Sequence, residues 1–135
     1  VRKMVWYPNE AFLLKAHERM LEEYGGYPGF RSGLEVFKAI LEEVRAAKGI
    51  YRKAAILLKR LRTANIFEDA NKRTAYTITK AFLEMNGYRL KIEDVEEALT
   101  FLKTEILFCD EDDIIKWLKH GKAKERPTSS SRKDN

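Results

Sequence analysis

Apolar side chains recur three and four positions apart along almost the whole chain, and glycine or asparagine cuts each run short. That spacing matches the turn of an α-helix, and no stretch alternates strongly at the two-residue period of a strand. The pattern therefore predicts an all-α fold, a single compact bundle of about six helices. Asn9, after Pro8, is placed to cap the first. Its apolar face is Phe12, Leu13, Ala16, Met20, Leu21 and Tyr24, and Gly25-Gly26 ends it. The turn-rich Tyr27-Pro28-Gly29 follows. Ser32 and Glu35 have the spacing of a capping box, which predicts a second helix from Ser32 to Gly49 with Phe37, Ile40, Leu41 and Val44 inward. A third helix, from about Tyr51 to Thr63, is apolar around most of its surface and should be buried. The loop Asn65 to Ala70 leads into a fourth, which begins near Asn71 and closes at Asn86-Gly87. A fifth is expected from about Ile92 to Phe108. Asp110 can cap a short sixth that ends at Gly121. Only Tyr88-Arg89-Leu90 or the Tyr27 to Phe30 loop offers weak strand pairing, and no solenoid-length repeat is present.

The chain has 135 residues, of which 44 % are hydrophobic and 35 % charged. These values fit one soluble domain large enough for its own core, assigned to residues 1–121. Residues 122–135 form a basic, low-complexity tail expected to be disordered. No apolar run is long enough to cross a bilayer, and Val1 to Asn9 contains no apolar segment of a signal peptide. Cys109 is the only cysteine, which excludes an intramolecular disulfide and a multi-cysteine zinc site. It follows Ile106-Leu107-Phe108 and reads as a buried thiol. These features together suggest a cytoplasmic protein. Of the net charge of +5, the tail from Lys122 holds +3, five cations against two acids. The basic balance thus belongs mostly to the tail, and it is weak evidence for a nucleic-acid surface on the domain.

The chemistry concentrates in Asn65-Ile66-Phe67-Glu68-Asp69-Ala70-Asn71-Lys72-Arg73-Thr74-Ala75. A buried helix enters a tight loop that feeds straight into another helix. The first N–H groups of that second helix lack intrahelical partners, and its dipole favours an anion there. Lys72 and Arg73 place two cations at the same end, where the dipole disfavours them by some tenths of a kcal/mol each. A bound polyanion would reverse that sign. Arg73 could grip a phosphate with two N–H groups, and Lys72 could act as a point charge. Asp69 adds a carboxylate of the kind that holds Mg²⁺ beside phosphates. The spacing alone is equally met by a plain cap from Asp69 or Asn71 with both cations in solvent.

Phe67 to Ala75 resembles the Doc signature H-x-F-x-D-[AG]-N-K-R-T of the Fic/Doc family. Upstream, Gly25-Gly26-Tyr27-Pro28-Gly29-Phe30-Arg31-Ser32-Gly33-Leu34-Glu35 is similar to the family block G-G-x-P-G-x-R-D-x-G-L-x-E, with Ser32 in place of aspartate. The likeness extends roughly from Phe12 to Leu118. Lys72, where Fic AMP transferases usually carry glycine, is the Doc-type variant. Tyr76 stands where the Fic motif has its second arginine. The resemblance implies a transferase, a protein kinase or AMP transferase, using ATP or another nucleoside triphosphate with Mg²⁺. It implies Asp69 as metal ligand, and an anion hole formed by the N–H groups of Ala70, Asn71 and Lys72 with the Asn71 side chain. It implies Lys72 and Arg73 as phosphate ligands, Phe67 as the loop's anchor, and the Tyr27 to Phe30 loop as an aid to target positioning. Doc proteins transfer the γ-phosphate to a hydroxyl of elongation factor Tu and are restrained by an antitoxin. The expected partners are therefore an elongation factor Tu-like target and an antitoxin, and neither a membrane nor a nucleic acid. The self-restraining motif [ST]-x-x-x-E-[GN] of some Fic proteins does not occur in the chain.

Asn65 stands at the position of the family's catalytic histidine. Histidine can take a proton from an attacking hydroxyl because its pKa lies near working pH, and asparagine has no basic nitrogen. That help is typically worth about 10²–10⁴-fold. Three readings stay open: a binding protein without catalysis, a deliberately inactivating substitution, and residual activity through another base. Glu68 and Asp69 are the nearest carboxylates for the third. His17 reads as structural, and His120 as a partner of a helix C-terminus.

Overall fold

The computed structural model describes residues 4–123. Among them run α1 (Glu10–Tyr24), α2 (Glu35–Ala46), α3 (Ile50–Ala64), α4 (Asn71–Met85), α5 (Val95–Lys103), a 3₁₀ turn (Glu105–Phe108) and α6 (Glu111–His120). The fold is an all-α bundle, as the periodicity predicts. α3 is its central element and packs against α2, α4 and α6, while α4 also packs on α1 and α5. Ala54, Ala55, Ile56, Leu57, Leu58 and Leu61 of α3 are buried, so most of its surface does face protein. Phe37, Ile40, Ile78, Phe82, Leu102 and Ile114 close around it.

One charge sits inside this core. Lys53 is 7 % exposed, and its Nζ donates to the carbonyls of Val44, Arg45 and Ala47 at 3.2, 3.1 and 2.6 Å. The last carbonyls of a helix have no intrahelical donors, so a buried ammonium there satisfies both sides.

Caps expected from local sequence form at Asn9, which accepts from the Phe12 N–H, and at Asp110. Two other boundaries differ from expectation. Ser32 caps no helix: α2 starts at Glu35, and no side chain caps it. The Ser32 hydroxyl instead donates to the carbonyls of Ala64 and Asn65, both at 3.0 Å. Those carbonyls end α3 and need donors, and the 25–34 loop is drawn against them. The expected fifth helix is shorter than Ile92 to Phe108. Asp94 accepts from the Glu97 N–H and starts α5 only there, and Thr104 breaks the helix before the 3₁₀ turn. Arg62 of α3 helps fix that break, donating to the carbonyls of Leu102 and Lys103 at 2.6 and 3.0 Å. Gly49, expected to end α2, is the residue before α3 and has a positive φ of 94°.

The only β-type pairing among the described residues is one antiparallel bridge, Phe30 to Phe67. Cys109 is buried. No helix among the described residues is long and apolar enough to cross a membrane. The expectation of a disordered tail falls largely on residues 124–135 and lies outside the described residues.

Candidate anion site at the start of α4

The loop from Asn65 to Ala70 is fixed from several directions. Asn65 ends α3 in the left-handed region at φ 49°, a conformation asparagine tolerates well. Its carbonyl accepts from the Ser32 N–H, and the Ile66 carbonyl accepts from the Arg31 and Gly33 N–H groups. The Glu68 N–H donates to the Gly29 carbonyl at 3.0 Å. The Asn71 amide spans the loop from inside: its Oδ1 accepts from the Phe67 N–H at 3.1 Å and its Nδ2 donates to the Phe67 carbonyl at 2.8 Å. Asn71 is thus a clamp on the loop, and it also lines the cavity described below.

Phe67 is buried and stacks on His17, with ring centroids 3.6 Å apart and planes 7° from parallel. His17 Nε2 lies 2.9 Å from the Asp69 carbonyl. A carbonyl only accepts, so Nε2 carries the proton and donates. His17 is therefore structural, and it holds the backbone of Asp69. The Asp69 carboxylate accepts through Oδ2 from the Tyr27 N–H at 2.7 Å. Gly26, at φ 126°, permits this approach: a Cβ there would lie 3.1 Å from that of Asp69.

Ala70 also adopts the left-handed region, at φ 65° and ψ 23°, and supplies no side-chain cap to α4. For alanine that conformation costs roughly 1–2 kcal/mol. The first intrahelical bond runs from the Thr74 N–H to the Ala70 carbonyl. The N–H groups of Asn71, Lys72 and Arg73 therefore have no partner within the helix. A left-handed residue followed by helical ones also points successive N–H groups into one concavity.

A cavity of about 280 Å³ is lined by Ala70, Asn71, Lys72 and Arg73 on one side and by Glu96, Leu99 and Lys103 of α5 on the other. Burial, then the charges of Arg62 and Lys103, hold the Lys72 ammonium below its ordinary pKa of 10.5. Arg73 donates to Glu96 Oε1 at 2.8 Å, and its guanidinium lies 4.2 Å from the ring centre of Tyr24. Arg73 Nε is buried and has no hydrogen-bond partner.

The structure thus brings Ala70, Asn71, Lys72 and Arg73 to one cavity and leaves Asn65, Phe67 and Asp69 outside its lining. Asn65 is exposed at the other end of the loop. Glu68 points to the surface, with Oε2 3.3 Å from Arg31. Tyr76, at the site of the absent second arginine, is a packing residue. Its hydroxyl donates to the Ile92 carbonyl at 2.7 Å, and burial pushes its pKa up. Sequence reasoning missed the α5 wall and Tyr24 as a partner of Arg73. Glu96, Leu99 and Lys103 share one stripe by helical spacing, but nothing local says which helix that stripe faces.

Among the described residues no group of three or more histidine, cysteine, aspartate or glutamate side chains converges on one point. A larger cavity of about 940 Å³ opens between α5 and α6 against Phe101 and Trp117. Its polar groups are of mixed sign, with Glu97 and Glu105 against Lys116 and Lys122, and select no one class of ligand. Neither a known family model nor any curated protein matches the chain.

Proposed function

We propose that the chain is a Doc-like member of the Fic/Doc family that binds a magnesium nucleoside triphosphate, such as ATP, at the start of α4. Its ancestral reaction is phosphoryl (or nucleotidyl) transfer from ATP to a hydroxyl of a target protein such as elongation factor Tu, attenuated by Asn65. The observation that carries this reading is the cavity at an uncapped helix start, where Lys72 and Arg73 stand against the dipole. In the phosphoryl case the target oxygen bonds to the γ-phosphorus, the bond to the β–γ bridging oxygen breaks, and the nucleoside diphosphate leaves. The hydroxyl proton must go to a base. Lys72, Arg73 and the free N–H groups would hold the phosphates, and Asp69 would hold the metal that neutralises them. Tyr27 and Phe30, 78 % and 50 % exposed beside the loop, would meet the target segment. Such a target and an antitoxin partner would both be cytoplasmic.

Asn65 favours a second reading, a catalytically dead nucleotide- or partner-binding module of a toxin–antitoxin system. An amide cannot take the proton, and Glu68 is engaged by Arg31. Histidine is as compatible as asparagine with the left-handed backbone at this position. Asn65→His should therefore fold, and should raise transfer of label from γ-labelled ATP to proteins of a cell extract by about 10²–10⁴-fold. Transfer from α-labelled ATP would instead mark an AMP transferase. If the histidine variant transfers neither label, Asn65 is not the catalytic position.

A further inference from the structure

The walls of the α4–α5 cavity carry more information than the loop motif does. About 280 Å³ falls short of the roughly 300–1,000 Å³ of sites that enclose a whole small molecule. The lining holds no aromatic side chain, and Ala70 and Leu99 are its only apolar residues. Bases are usually held by stacking on aromatic rings or on arginine planes. Here the guanidinium of Arg73 is already covered by Tyr24. What the lining does hold is charge: Lys72, Arg73 and Lys103 against the single carboxylate of Glu96. Among the described residues Lys72 and Lys103 have no ion-pair partner, although Arg62 and Lys103 lie close enough to depress the Lys72 pKa. Three cations against one carboxylate raise a local potential that an anion relieves. Arg62 donates to the carbonyls of Leu102 and Lys103, which fixes the backbone that carries Lys103.

Resting on the reading above, we propose that this cavity binds only the polyphosphate end of its ligand, takes any base or none, and is completed by Lys103 from outside the loop motif. The ligand class is a triphosphate group, whether of a nucleotide or of inorganic tripolyphosphate. Lys103 is a binding residue.

The test is calorimetric titration of the full chain with the magnesium salts of ATP, GTP, CTP and tripolyphosphate. Lys103→Ala and Lys103→Gln are compared with Lys116→Ala, which removes a charge from a different cavity, and melting temperatures verify folding. The expected result is four affinities within about 3-fold of one another. Both Lys103 variants should weaken all four by about 10-fold, and Lys116→Ala should weaken none. A preference above 10-fold for one nucleotide over tripolyphosphate would show that a base is read, overturning the inference while the nucleotide-binding function stands. Equal behaviour of the Lys103 and Lys116 variants would remove Lys103 from the site. Absence of heat with every ligand would overturn both the inference and the function beneath it.

Discussion

α6 begins on Asp110, whose carboxylate accepts from the Asp113 N–H while that of Asp113 accepts from the Asp110 N–H. Glu111, Asp112 and Asp113 fill its first turn, where the helix dipole favours acids. α4 begins on Ala70, in the left-handed region, with no side-chain cap, no acid in its first turn and two cations there instead. The missing cap forgoes about 1 kcal/mol, the backbone of Ala70 costs roughly 1–2 kcal/mol, and each cation opposes the dipole by about 0.3–1 kcal/mol. The same chain can evidently encode a satisfied helix start. The difference marks the start of α4 as a place where local stability is forgone, and under the proposed function that loss is offset by a bound anion.

The sharpest way to break this contrast is to remove a charge from one start and the cap from the other. Arg73→Ala should weaken magnesium ATP binding by about 10–100-fold in calorimetry, the loss expected for a hydrogen bond to a charged group. Asp110→Ala should leave that affinity unchanged and lower unfolding stability in urea by about 1 kcal/mol. Equal losses of affinity would mean that the two starts do not differ in kind. A smaller effect concerns pH. Because Lys72 titrates below 10.5 in the folded protein, the unfolded chain binds more protons in that window, and stability rises with pH there. The cost of the charged ammonium is fully present at lower pH and is relieved as pH climbs through the folded pKa. Denaturation curves of the wild type and of Lys72→Met should therefore converge toward pH 10.5 without ligand, and saturating magnesium ATP should remove that trend. A difference independent of pH would contradict the burial of the Lys72 ammonium and the crowding of cations around it. The smallest effect is at Ala70, where Ala70→Gly should stabilise the protein by up to about 1 kcal/mol by relieving a positive φ. Destabilisation there would mean that the left-handed start carries no strain.

The α5 wall and the loop differ in how far the sequence discloses them. Phe67, Asn71, Lys72 and Arg73 stand out because they are consecutive or nearly so, and a helix start is a local event. The stripe Glu96, Leu99 and Lys103 reads as an ordinary amphipathic face, and its meaning appears only once α5 lies across the start of α4. Asn71 illustrates the same limit within the loop. Its position was legible, but its two hydrogen bonds to Phe67 depend on how tightly the chain folds back.

The sequence by itself determined the helical bundle, the burial of α3, the caps at Asn9 and Asp110, the end at Gly121, and the loop from Asn65 to Ala70. Each follows from forces acting within a few residues: apolar spacing, capping hydrogen bonds and the freedom of glycine. Only the tertiary structure decided that Ser32 closes α3 instead of opening α2, that His17 holds the Asp69 carbonyl, and that Glu96 and Lys103 face Lys72 and Arg73. Those pairings join groups far apart in the chain, and side chains so separated meet only when the packing of whole helices has fixed their distance.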